Sequence, residues 1–250
     1  MLDNRTAFVT GAGSGIGRAS AIALAEAGAY VVVTDLRHDL ADETLAQIRI
    51  AGGQGEAHAL DMRDDAGIKA LVADVVARKG IDILHSHAGI QIPGKLEQVT
   101  PDQMDAAWAL NVRAHFVISR EVVAPMRARG GGSVIITASN SGCQFDREMI
   151  SYATTKHAAV AMVKQMAADY ARDNIRFNAL CPGFVDTPFN AGFEKQMGGR
   201  AGLESYVSET IPMGRWASVD EIAAGILYLA SPKSGFVTGL ALVIDGGEIL

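Results

Sequence analysis

The 250-residue sequence predicts a doubly wound α/β fold, a parallel sheet of about seven strands with helices on both faces. Three observations carry that prediction. Short apolar runs, many rich in β-branched residues, alternate with helical patterns along the whole chain. Most of the runs are continuously apolar instead of alternating, as strands covered on both faces must be. The first run leads through a glycine turn straight into a helix, which is how an anion-binding crossover begins.

The strands are expected at residues 7–10, 30–34, 57–60, 81–85, 133–137, 176–181 and 240–244. Helices at 19–27, 40–51 and 66–78 stop at Gly28, Gly52-Gly53 and Gly80, the glycine stop signals of helix ends. A longer helical pattern at 101–129 carries Pro125 and meets Gly130-Gly131-Gly132, so a kink or early stop is expected there. Another runs from Tyr152 to about Arg172. No repeat or linker divides residues 1–250, which read as a single domain. The segment 189–211 contains Gly192, Gly198, Gly199 and Gly202 and reads as a mobile substrate lid.

With 49% hydrophobic residues the chain can bury a large core. A net charge of -6 and the lack of a Lys/Arg cluster argue against a nucleic-acid partner. No apolar span reaches membrane length, and the N-terminus lacks a signal-peptide pattern. Two cysteines, Cys143 and Cys181, make neither a disulfide framework nor a zinc knuckle. A cytoplasmic protein without membrane contact is the expectation, with Cys181 structural and Cys143 a candidate pocket residue.

The glycine turn is the stretch from Thr10 to Gly17. Gly11, Gly15 and Gly17 permit left-handed backbone and close approach, while free amides around Ser14, Gly15 and Ile16 at the helix start face a pyrophosphate. A dinucleotide is the implied ligand. The second strand ends in Asp35, whose carboxylate would accept from ribose hydroxyls and repel a 2′-phosphate, favouring NAD over NADP. Arg37 is the dissenting residue, since a guanidinium can meet that phosphate. His85 and His87 have no third partner at metal-ligand spacing, so no metal is expected and they read as strand-end residues near the cofactor.

Tyr152 and Lys156 stand at i and i+4 and so share a helix face. An ammonium beside a phenol favours the phenolate, lowering a pKa that is about 10 in free tyrosine. Such a tyrosine becomes a usable general base.

Together these motifs resemble the short-chain dehydrogenase/reductase family, from Arg5 to Gly247. The glycine turn follows the family's Thr-Gly-x-x-x-Gly-x-Gly spacing, which implies the Rossmann-type version of the fold. The resemblance implies a catalytic tetrad of Asn111, Ser139, Tyr152 and Lys156. It implies further cofactor contacts from Asp61 and Met62 (adenine), from Ala88 and Gly89, and from Tyr152 and Lys156. Pro182, Gly183, Val185 and Thr187 complete the set, at the nicotinamide carboxamide. Asp245-Gly246-Gly247 matches the family's C-terminal signature. Ser86-His87-Ala88-Gly89 departs from the family's Asn-Asn-Ala-Gly, leaving open what replaces the asparagine bonds. Homotetramers are common in the family, and residues 112–123 and 158–166 carry apolar positions beyond one helix face.

The resemblance implies an NAD-dependent oxidoreductase that interconverts a secondary alcohol and a ketone, or a hemiacetal and a lactone. A ketoacyl-thioester reductase and a non-catalytic dinucleotide sensor are the alternatives. Ser141, Gln144 and Arg147 lie between Ser139 and Tyr152 and are the candidate substrate residues. The charges of Asp146, Arg147 and Glu148 suit a small polar substrate, a sugar, polyol or hydroxy acid, better than an apolar one. The alternative is that these three side chains face solvent or pair with one another.

Overall fold

The computed structural model describes residues 1–250. Seven strands, β1 (Thr6–Thr10), β2 (Tyr30–Asp35), β3 (Gln54–Ala59), β4 (Ile83–Ser86), β5 (Gly132–Thr137), β6 (Ile175–Pro182) and β7 (Ala241–Ile244), form one sheet. Its order is β3-β2-β1-β4-β5-β6-β7, and every pairing is parallel. The helices are α1 (Gly15–Glu26), α2 (His38–Ile50), α3 (Asp65–Arg78), α4 (Pro101–Trp108), α5 (Ala114–Ala128), α6 (Ile150–Tyr170), α7 (Ala191–Gln196), α8 (Arg200–Thr210) and α9 (Val219–Ala230). None is long and apolar enough to cross a membrane.

Strand periodicity divides the interior into two cores, because neighbouring side chains on a strand leave on opposite faces. Phe8, Val32, Leu84, Val134, Ile136 and Phe177 join Ile68, Val72 and Val75 of α3, Ile118 and Val122 of α5, and Val163 of α6. Ala7, Val9, Val31, Val33, Ile83, Ile135 and Leu180 join Leu24 of α1, Ile48 of α2, and Ile222, Ile226 and Leu229 of α9. Each fully buried aliphatic chain contributes roughly 1.5–3 kcal/mol. The continuous apolar runs thus follow from a sheet sandwiched between two helical layers.

Three elements differ from the sequence reading. β3 begins at Gln54, earlier than expected, because it is an edge strand whose Glu56 carries Tyr30 and Arg78 as partners and therefore breaks the apolar pattern. The helical pattern at 101–129 does not end at Pro125: α5 continues to Ala128. It is interrupted further upstream, at Ala109–Arg113, by a turn of wider π-helix. α9 was not anticipated, although its start carries a capping box between Ser218 and Glu221.

The chain leaves β1 toward β2 and β3 on one side and then returns to build β4 through β7 on the other. The carboxyl ends of β1 and β4 therefore flank a crevice, the usual ligand position of a doubly wound sheet.

Candidate active site

A cavity of about 970 Å³ opens at those carboxyl ends. The glycine turn forms one wall. Gly11 and Gly15 adopt left-handed backbone, with φ of +62° and +50°. A Cβ on Gly17 would lie 2.1 Å from the Gly11 carbonyl oxygen, so the helix start can press on the strand end only as glycine. Ser14 caps α1 by backbone alone, leaving its hydroxyl free of the helix amides. A left-handed turn leading to free amides at a helix N-terminus fits a pyrophosphate.

Asp35 stands behind the turn. Its Oδ2 accepts from the Gly13 amide at 3.0 Å, and its Oδ1 from the Arg37 amide at 3.0 Å. The carboxylate thereby holds the turn in shape while lining the cavity. The Arg37 guanidinium is turned onto Asp39, and Arg63 grips Asp61 through Nε at 2.9 Å and Nη2 at 2.7 Å. That guanidinium holds the Asp61 carboxyl below its ordinary range. Both cations near this end already have carboxylate partners.

Ala88 and Gly89 follow β4, and the Thr10 hydroxyl accepts from the amides of His87 and Ala88 at 2.9 and 3.2 Å. A serine and a histidine, Ser86 and His87, stand in place of the missing asparagines. His85 Nε2 and His87 Nδ1 both bond the Thr137 hydroxyl, at 2.9 and 3.1 Å, and the Ser86 hydroxyl bonds His115 Nδ1 at 2.7 Å. These contacts tie β4 to β5 and α5. Burial drives His85 and His115 well below the ordinary imidazole pKa, and brings His87, which faces the cavity, down to about 4.

At the other end of the cavity Ser139, Tyr152 and Lys156 converge. Ser139 lies two residues beyond β5 and caps the tight turn Asn140–Gly142, its hydroxyl accepting from the Ser141 amide at 3.2 Å. Tyr152 and Lys156 lie on the buried face of α6, 5% and 3% exposed. The Lys156 ammonium donates to the Thr137 carbonyl at 3.0 Å and lies 5.6 Å from the Tyr152 ring centre. Burial, not the ammonium, dominates the phenol: it is pushed up to about 12, while the Ser139 hydroxyl pulls the other way. The expected lowering by Lys156 is not among the influences on this phenol, which desolvation dominates. The same burial brings Lys156 down to about 8.

Asn111 does not line the cavity. It sits in the π-helical turn, where its Oδ1 accepts from the Ile90 amide and its Nδ2 donates to the Ile90 carbonyl, both at 2.8 Å. Nδ2 also donates to the Thr155 hydroxyl at 3.0 Å. The widened turn aims this amide at the loop after β4 and braces it against α6.

Gly11, Ser14, Gly15, Ile16, Asp35, Asp61, Met62, Ala88, Gly89, Tyr152, Lys156, Pro182, Gly183, Val185 and Thr187 all line this one cavity. Ser141, Gln144 and Arg147 line it as well. Asp146 accepts from Gln144 at 3.1 Å and Glu148 pairs with Lys95 at 3.4 Å, so neither acidic neighbour takes the Arg147 guanidinium. Cys143 is exposed and outside the cavity; its sulfur lies 3.8 Å from that of buried Cys181.

Sequence reasoning missed Gly13, where a Cβ would meet Asp35 Oδ2 at 2.7 Å. It missed the aromatic wall in which Phe184 meets Phe193, Tyr206 and Trp216 edge-on. It also missed Glu248, which lines the substrate end and bonds Asn140. In the segment 189–211, α7 and α8 are joined at Gly198-Gly199, both left-handed in φ and clear of neighbours. Gly192 and Gly202 are instead packed against Gln91 and Met197.

A family model described as enoyl-(acyl carrier protein) reductase matches residues 11–248. An uncharacterized oxidoreductase of Bacillus subtilis (strain 168), YxbG, is 38% identical over 251 residues, covering 98% of this chain and 91% of its own. A gluconate 5-dehydrogenase from Burkholderia cenocepacia J2315, solved in complex with NADP and tartrate, is 35% identical with a TM-score of 0.92 over 99% of this chain and 96% of that one. A 7α-hydroxysteroid dehydrogenase complexed with NADH and 7-oxo glycochenodeoxycholic acid is 33% identical, with a TM-score of 0.92 over 98% and 94%.

Proposed function

The chain belongs to the short-chain dehydrogenase/reductase family, and from that premise we propose that it is an NAD-dependent dehydrogenase of a small polar secondary alcohol or sugar hemiacetal. The observation that carries this reading is the single cavity, with the glycine turn and Asp35 at one end and Ser139, Tyr152 and Lys156 at the other.

The glycine turn, Ser14 and Ile16 would hold the pyrophosphate. Asp35 would take the adenosine ribose and Asp61 with Met62 the adenine. Ala88, Gly89, Pro182, Gly183, Val185 and Thr187 would enclose the nicotinamide half. When bound, the oxidised nicotinamide supplies the hydride acceptor and a positive charge. Tyr152 removes the hydroxyl proton of the substrate, and Ser139 hydrogen-bonds the reacting oxygen. A phenol held near 12 by burial needs added positive charge to ionise at neutral pH, so proton removal depends on an assembled site. Lys156, anchored on the Thr137 carbonyl, keeps its ammonium beside that phenol and within reach of a ribose. Asn111 holds the Ile90 backbone, and with it the Ala88-Gly89 loop, against α6.

Three features favour NAD: the Asp35 carboxylate, Arg37 turned onto Asp39, and Arg63 turned onto Asp61. The relatives divide on this point, one holding NADP and another NADH. A polar substrate is supported by Gln144, Asp146 and Arg147 at the cavity mouth. The Gly198-Gly199 joint would let α7 and α8 act as a lid over it. A homotetramer in the cytoplasm completes the reading, supported by the exposed Trp108 and Phe116 of the α4/α5 face and by two free cysteines.

The test is a panel of sugars, polyols, hydroxy acids and steroids with NAD and with NADP. Turnover of polyols or hydroxy acids with NAD is the expected result. Activity confined to steroids or acyl thioesters would overturn the polar-substrate reading.

A further inference from the structure

Glu248 lies just beyond the Gly246-Gly247 turn that follows β7, and its side chain enters the substrate end of the cavity. Its Oε2 accepts from Asn140 Nδ2 at 2.8 Å. The same amide, through Oδ1, faces the Ser139 hydroxyl at 3.3 Å. One buried side chain therefore links the hydroxyl at the reaction centre to a carboxyl group brought in from the far end of the chain. No protein group donates to the other oxygen, Oε1, which remains accessible from the cavity.

This carboxyl has no cationic partner. The charged groups facing it are Asp146, from the loop before α6, and Asp245, at the end of β7; Tyr206 of α8 stands close by. Asp245 is itself held by the amides of Gly247 and Ile249. Burial first, and then the two aspartates, push Glu248 up to about 7, while the Asn140 amide opposes them. A half-buried carboxyl with an open oxygen and only like charges nearby is costly unless a donor arrives to satisfy it. A substrate carboxylate in that place would add another negative charge. A substrate hydroxyl would donate. The Phe184, Phe193 and Tyr206 rings that line the same end suit the C–H faces of a carbon ring or chain.

We propose that Glu248, held by Asn140, is a specificity-determining residue that accepts a hydrogen bond from a second hydroxyl group, on a carbon near the reacting carbinol. The preferred substrates are then neutral diols and polyols, ahead of mono-alcohols of the same skeleton. This deepens the dehydrogenase reading and rests on it.

The experiment compares cis-1,2-cyclohexanediol with cyclohexanol, using NAD, in the wild type, Glu248→Leu and Glu248→Gln. The wild type should favour the diol in kcat/KM, and Glu248→Leu should lower the diol-to-mono-alcohol ratio about tenfold or more, the loss of one charge-assisted hydrogen bond. Glu248→Gln keeps an acceptor and should retain part of the ratio, while abolishing its change with pH around 7. A ratio within about twofold of the wild type in Glu248→Leu overturns the inference, as does a wild type with no preference. Should Glu248→Leu fail to fold, an unchanged pH dependence of the ratio in Glu248→Gln overturns it instead. Binding of each alcohol to the protein–NADH complex, read by quenching of nicotinamide fluorescence, separates this from the broader reading. Lack of turnover of both alcohols counts against the secondary-alcohol reading, and lack of diol-selective, Glu248-dependent binding counts against Glu248.

Discussion

Lowering the pH from 7 to 5 should destabilise this protein through two histidines that never touch solvent. His85 and His115 are both 0% exposed, and burial keeps them neutral. Their folded pKa is depressed, so their contribution is present above the unfolded imidazole value and lost as pH falls below it. An unfolded histidine titrates near 6.5 and takes up its proton across this interval, which costs the folded state about 2 kcal/mol per imidazole. Two imidazoles give about 4 kcal/mol, a large share of the 5–15 kcal/mol typical of a folded domain. Glu248 acts in the opposite direction: its folded pKa is raised to about 7, so it gains stability as pH falls toward the unfolded carboxyl range. Discounted for its partial exposure to the cavity, that gain is about 1–2 kcal/mol, leaving a net loss of about 2–3 kcal/mol from these three groups, to which His87, brought down to about 4, adds up to about 2 kcal/mol. Urea unfolding at fixed protein concentration, repeated from pH 7 to 5, measures the loss. Histidine Cε1 resonances should show three rings, those of His85, His87 and His115, that do not titrate in this range. His115→Gln should make the loss about 2 kcal/mol smaller. Constant stability from pH 7 to 5, or rings at 85 and 115 titrating near 6.5, would refute the reasoning.

Asp35→Ala should narrow the preference for NAD, which is expected to exceed an order of magnitude in kcat/KM, because the carboxylate that repels a 2′-phosphate is gone, while Asp39 still holds Arg37 and keeps the preference from reversing. Equal use of both cofactors by the wild type would refute the role given to Asp35. Arg147→Ala should raise KM for an anionic hydroxy acid several-fold more than for a neutral polyol, and equal changes for both would remove Arg147 from the substrate site. Light scattering at micromolar concentration should give a tetramer mass, with Phe116→Glu on the exposed face of α5 reducing it. A monomer mass for the wild type would end the tetramer proposal.

The parts of the site that were legible in the sequence are those written in short-range spacing. The glycine turn, Asp35 at a strand end, and Tyr152 with Lys156 one helical turn apart each follow from local geometry, and the fold gathers them around one cavity. Residues that matter through distant partners were not legible. Glu248 follows an ordinary turn, and only the fold brings it to Asn140, 108 residues earlier in the chain. The π-helical turn that aims Asn111 leaves no mark in the apolar periodicity, whereas Pro125 suggested a break that α5 absorbs near its end. The phenol of Tyr152 shows the same limit. Its neighbour at i+4 predicts a lowered pKa, but the burial that raises it comes from tertiary packing.

The central chemical claim is that Tyr152 moves the substrate proton, and Tyr152→Phe tests it most directly. The substitution removes one hydroxyl from a buried ring and leaves the rest of the cofactor cradle in place, so the protein should still bind NADH, with an affinity within about tenfold of wild type, measured by nicotinamide fluorescence. Its kcat in NAD-linked alcohol oxidation should fall by at least about 10²-fold, the contribution of a positioned acid or base. A variant that binds NADH normally and keeps more than about a tenth of the wild-type kcat would contradict the claim.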